Sequence, residues 1–80
     1  MTPMIQQYRD AKAEDPEVVV MLRIGDFFET FDEDAKLISR ILGLTLTTRD
    51  GTPMVGVPAK SIEGYLDKLV QAGLRIALCD

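Results

Sequence analysis

Arg23-Ile24-Gly25-Asp26-Phe27-Phe28-Glu29-Thr30-Phe31 carries three of the chain's five aromatic residues and follows the apolar run Val18-Val19-Val20-Met21-Leu22. That run, β-branched at first and apolar throughout, predicts a buried strand over 18–23. Gly25-Asp26 reads as a turn, because glycine takes φ > 0 without steric cost and aspartate bonds its own local backbone. The segment after it is short and aromatic, which predicts an extended conformation. Side chains then alternate, so Phe27, Glu29 and Phe31 share one face while Phe28 and Thr30 take the other. Both faces therefore carry a phenyl ring, which a sheet with one wet face does not require. Two readings stay open. Either the segment is sandwiched, with all three rings in the core and Glu29 at a rim, or Phe27 and Glu29 stand out together at the end of a rigid element.

Before this stretch, Thr2-Pro3 has the pattern of a helix start, a hydroxyl cap followed by proline. Met4, Ile5, Tyr8 and Ala11 mark an apolar face, and Pro16 stops the helix. After it, Asp32 is expected to cap a second helix, with Glu33 and Asp34 placed where the helix dipole favours acid. Its inner face is Ala35, Ile38, Ile41 and Leu42, and Gly43 ends it. Leu44 to Thr48 alternates as a strand with one polar face. Asp50-Gly51 is a hairpin signal, with Met54 to Val57 pairing back until Pro58. Ser61 is expected to cap a third helix, whose inner face is Ile62, Tyr65, Leu66, Leu69 and Val70. Gly73 ends that helix, and Leu74 to Leu78 form a last strand.

The order α-β-β-α-β-β-α-β predicts an α/β domain, a small mixed sheet flanked by three helices. Its closing β-α-β passage is a right-handed crossover if the two strands are parallel. The chain stops at Cys79-Asp80 without a turn, so residues 1–80 are expected to be a fragment of a longer protein lacking a final strand.

Eighty residues suffice for one small domain, which buries only about 60% of its unfolded surface. A lone cysteine, Cys79, offers no disulfide and fits a reducing, cytosolic compartment; it reads as a small buried hydrophobe. No apolar run approaches the ~20 residues of a membrane span, and no secretory pattern opens the chain. A net charge of −4 argues against a polyanion held by this piece alone. The absence of histidine removes the commonest acid–base catalyst and zinc ligand. Asp26, Glu29, Asp32, Glu33 and Asp34 cluster, but the last three are better read as a helix N-terminus than as metal ligands. Arg49-Asp50-Gly51-Thr52, with Lys60 in the next loop, is the one place where basic and small polar residues meet. It reads either as a phosphate contact or as a solvated hairpin tip.

Thr2-Pro3-Met4 with Gln6-Gln7-Tyr8, Arg23 to Glu29, Leu46-Thr47, Pro53-Met54-Val55-Gly56-Val57-Pro58, and Tyr65 to Leu69 through Gly73 together resemble the N-terminal mismatch-recognition domain of MutS-type DNA mismatch repair proteins. The likeness runs in register across essentially the whole chain. Its most specific element is the Phe-x-Glu motif at Phe27 and Glu29; Pro-Met-x-Gly-x-Pro is the second anchor. The resemblance implies that Phe27 enters the minor groove at a mispair and stacks on a base, to which Glu29 hydrogen-bonds. On negatively charged DNA, Glu29 is then expected to act as a protonated donor. Arg49 is implied as a DNA-backbone contact, with Lys60 assisting, although Ala59-Lys60 departs from the family's usual Tyr-His. No catalysis and no cofactor are expected of this piece. ATP and magnesium, a second MutS subunit, the remaining MutS domains and a MutL-type partner belong to the implied parent protein in the bacterial cytosol. The other reading is a protein-interaction domain of a MutS relative without mismatch reading.

Overall fold

The computed structural model describes residues 3–80, so the expected Thr2 cap lies outside the described residues. The chain runs through α1 (Met4–Glu14), β1 (Val19–Ile24), β2 (Phe27–Phe31), α2 (Asp32–Leu42), β3 (Thr47–Arg49) and β4 (Thr52–Pro58). A single 3₁₀ turn (Ala59–Ser61), α3 (Ile62–Gln71) and β5 (Ile76–Cys79) complete it. This is the expected α/β order. The five strands form one mixed sheet in the order β3-β4-β2-β1-β5. Among the described residues only β1 and β5 pair in parallel. Two antiparallel steps separate β4 from β1, so β4 and β5 run the same way and the condition for a crossover through α3 is met.

Both hairpins follow from their turn residues. Gly25 has φ +59 while Asp26 stays at negative φ, the pattern of a type II′ turn with glycine first. Asp50 and Gly51 both have positive φ, 51 and 77, as a type I′ turn requires.

The sheet is covered on both faces, which accounts for a ring on each side of β2. Val19, Met21, Phe28, Val55 and Val57 pack with Ala35 and Ile38 of α2 and Leu69 of α3. Val20, Leu22 and Phe31 pack with Tyr8 of α1 on the opposite face, where the Tyr8 and Phe31 rings meet edge-on at 5.4 Å. Ile41 and Val70, expected on inner faces, are exposed.

Three local expectations change. Asp32 opens α2 with φ +53 and no side-chain cap bond is made; its carboxylate instead takes both bonds of the Arg9 fork at 3.0 and 3.1 Å. Ser61 stands at the expected cap position of α3 but also makes no cap bond. Leu44 to Leu46 lie outside β3, and the end of α2 claims the first of them: Leu44 N–H donates to the Ser39 carbonyl at 3.1 Å. Ser39 Oγ donates in turn to the Leu44 carbonyl at 2.6 Å. A residue with both backbone groups so engaged is withdrawn from the ladder.

Asp34 is the buried centre of a polar network. It accepts from Tyr8 OH at 2.6 Å, from Lys12 Nζ at 2.9 Å and from Val20 N–H at 3.3 Å. Thr30 Oγ1 donates to the Val20 carbonyl at 2.8 Å. Registered β1–β2 pairing reaches only Leu22–Glu29, so side chains satisfy Val20 where the ladder stops. Otherwise these backbone groups would be orphaned in the core.

Candidate nucleic-acid interface

Phe27 is the first residue of β2, directly after the type II′ turn. Its backbone is held between Ile24 of β1 and Pro58 of β4, so the side chain stands on a central strand fixed from both sides. Phe27 is 46% exposed, while Phe28 and Phe31 are buried. Both open readings are thereby half right. Two rings are core; the third stands out. Glu29 does not stand out beside it, being only 5% exposed.

The reason lies in how far α1 reaches. Its 11 residues span about 16 Å at 1.5 Å per residue and cover the Phe31 end of this face. Beyond that end lies a hollow of about 400 Å³ lined by Phe27, Glu29, Thr45, Thr47, Arg49, Met54 and Gly56. Gly56 pairs with Glu29 across the ladder and contributes no side chain. A second hollow of about 480 Å³ flanks Phe27 on its turn side, between Arg23, Asp26, Pro58, Ala59 and Lys60. Ala59 N–H donates to the Asp26 carbonyl at 2.8 Å, which ties the 3₁₀ turn bearing exposed Lys60 to the hairpin. Glu29, Arg49 and Lys60, the other three sequence-selected residues, therefore gather around Phe27.

Arg49 is engaged within the chain. Its Nε and Nη2 donate to Glu29 Oε1 and Oε2 at 3.0 and 2.9 Å, a fork-to-fork pair of the strongest geometry available to a carboxylate. The Arg49 side chain is 43% exposed and that of Glu29 7%. Twenty residues separate the pair, and it crosses β4, so only the strand order reveals it. Each carboxylate lining these hollows thus shares its hollow with a cation, Asp26 with Arg23 and Lys60, and Glu29 with Arg49.

The acidic cluster does not converge. Asp32 and Asp34 are committed to Arg9, Tyr8, Lys12 and Val20. Among the described residues no group of three or more His, Cys, Asp or Glu is placed to hold a metal ion. Among them, too, no helix is long and apolar enough to cross a membrane. Cys79 is partly buried at the edge of the α1-side core.

Residues 2–80 match the family described as MutS domain I. Similar proteins include the DNA mismatch repair protein MutS of Pseudothermotoga lettingae, 48% identical over 80 residues that cover all of this chain and 10% of that protein. The protein of the same name from Salinibacter ruber is 44% identical over 84 residues, covering 99% of this chain and 9% of its own length. That of Treponema pallidum (strain Nichols) is 46% identical over 79 residues, again 99% of this chain and 9% of its own. The chain spans about a tenth of the length of these curated relatives. With a match over 2–80 and identities in the forties along the whole chain, this α/β domain belongs to the MutS domain I family.

Proposed function

We propose that this chain reads mispaired bases in double-stranded DNA as one domain of a longer, cytosolic mismatch repair protein. Phe27 enters from the minor groove and stacks on a base, and Glu29 hydrogen-bonds to that base. The observation that carries this reading is the half-exposed phenyl ring on a backbone clamped between two strands. An apolar wedge between base pairs must unstack them, and that cost is lowest where pairing is already defective. Lys60, exposed beside Phe27, is the proposed DNA-backbone contact, and the N–H groups of Arg49 not given to Glu29 form a second. Such contacts position the domain without specifying a base. With a net charge of −4, the domain supplies discrimination while other parts of the longer protein supply affinity. ATP, magnesium, a second subunit and a MutL-type partner act through those parts.

A fluorescent base analogue placed at the mispair tests the wedge directly. Full-length protein should change its emission on mispaired duplex through unstacking and restacking on Phe27, and leave it unchanged on the perfect duplex. Equal responses from both duplexes would remove the wedge from the mechanism.

Gly56 separates access from folding. A Cβ built there meets Phe27 Cδ1 at 3.5 Å, Glu29 Cγ at 3.8 Å and Met54 Sδ at 3.9 Å, which are ordinary contacts. Glycine weakens a strand interior, so the fold gains nothing from it; the clearance between ring and carboxylate serves an incoming base. Gly56→Ala is expected to hold or raise stability by about 0.4–1 kcal/mol, yet lower affinity for mispaired DNA several-fold. Thermal melts and competition binding check both halves. Unchanged discrimination with unchanged stability would show the clearance to be idle.

A further inference from the structure

We infer that Arg49 is a positioning residue for mismatch reading, acting on the mispair through Glu29. This rests on the reading of Phe27 and Glu29 proposed above. Three observations carry it. Glu29 lies almost wholly out of solvent, and both its oxygens accept from one guanidinium. A planar fork on a carboxylate fixes the orientation of both partners, which a point charge cannot do. Finally, Gly56, opposite Glu29 in the ladder, offers no side chain to wall the carboxylate in place, so among the described residues the side chain that bonds to its head group is that of Arg49.

Electrostatics points the same way. Carried bare into the groove of a polyanion, the Glu29 carboxylate would be repelled by phosphates on either side. Paired with Arg49 it enters as a neutral unit, a carboxylate accepting on both oxygens rather than the protonated donor expected from the sequence. Arg49 still presents unused N–H groups on its exposed edge, so contact with a phosphate is compatible with this role. A contact of that kind does not replace it, because phosphate contacts carry no base information.

A double-mutant cycle in the full-length protein tests the inference, with Glu29→Gln, Arg49→Gln and the double variant measured on mispaired and perfect duplexes across a salt series. Melts establish that each variant is folded at the assay temperature. The double variant removes both charges and so leaves no unpaired buried carboxylate. Arg49→Gln is expected to lower the mispaired-over-perfect affinity ratio roughly tenfold and to lower it no further in the Glu29→Gln background. Arg49→Lys, which keeps the charge and loses the fork, should recover only part of the ratio. The inference is overturned if Arg49→Gln weakens both duplexes by one factor, reduces the salt slope by about one and multiplies independently with Glu29→Gln. It is also overturned, alone, if Phe27→Ala abolishes the ratio while Glu29→Gln leaves it intact. Should Phe27→Ala itself leave the ratio intact, the mismatch reading falls and takes this role with it.

Discussion

Asp34→Ala is expected to destabilise the domain by about 3–5 kcal/mol, the range for breaking a buried charge pair from one side. Three donors lose their acceptor together: the Tyr8 hydroxyl, the Val20 N–H and the Lys12 ammonium. Two of these are deeply buried, and a buried donor left unsatisfied costs about 1–3 kcal/mol. An 80-residue domain has roughly 4–12 kcal/mol in total, at 0.05–0.15 kcal/mol per residue. The substitution therefore consumes a large share of it. Asp34→Asn keeps one acceptor oxygen and the shape, and should cost less than half as much. Denaturant midpoints at unchanged slope measure both; a loss below about 1 kcal/mol for alanine would show the network to be dispensable.

The same network sets an alkaline limit. Burial first, and then the hydrogen bond and charge of Asp34, push the Tyr8 phenol far above its ordinary value. The native state thus keeps a proton that the unfolded chain releases above pH about 10. Its contribution is complete below that pH and is lost as pH rises toward the native value. Tyr8→Phe should remove this part of the decline.

How much of this was legible in the residues depends on the range over which each feature is determined. Turns were legible: Gly25-Asp26 and Asp50-Gly51 impose backbone conformations that few other pairs adopt, and both turns formed where expected, the second as the expected hairpin. Helix faces were legible where periodicity met a sheet, as at Ala35, Ile38 and Leu69, and failed at Ile41 and Val70, which periodicity placed inward but which stay exposed. The role of Asp34 was hidden, because an acid in a first helical turn already has a sufficient local reason in the dipole. Nothing local says that Tyr8 and Lys12, on another helix, will converge on it. Alternation along β2 gave the two faces correctly yet could not say which ring α1 would cover. That depends on where an 11-residue helix ends over the sheet, a tertiary fact. The Glu29–Arg49 pair required the order β3-β4-β2 and was invisible for the same reason.

Phe27→Ala should abolish discrimination while leaving the fold and nonspecific DNA binding in place. Phe27 is already 46% exposed, so removing its ring forfeits only part of the burial that makes Phe→Ala costly in a core; a loss of about 1 kcal/mol is expected. Affinity for perfect duplex should scarcely move, because it comes from phosphate contacts that Phe27 does not make. On a mispair the ring gains stacking of about 1–3 kcal/mol against an unstacking cost that defective pairing has reduced. Losing that term lowers mispaired affinity roughly 5- to 150-fold, so the two duplexes bind alike. Graded variants sharpen the test. Phe27→Tyr keeps the aromatic face and should retain most of the ratio, whereas Phe27→Leu keeps an apolar wedge without a π-face and should fall between. If leucine equals phenylalanine, insertion alone discriminates and stacking is incidental. If alanine equals phenylalanine on both duplexes, the exposed ring serves a protein partner instead, and the mismatch reading is wrong.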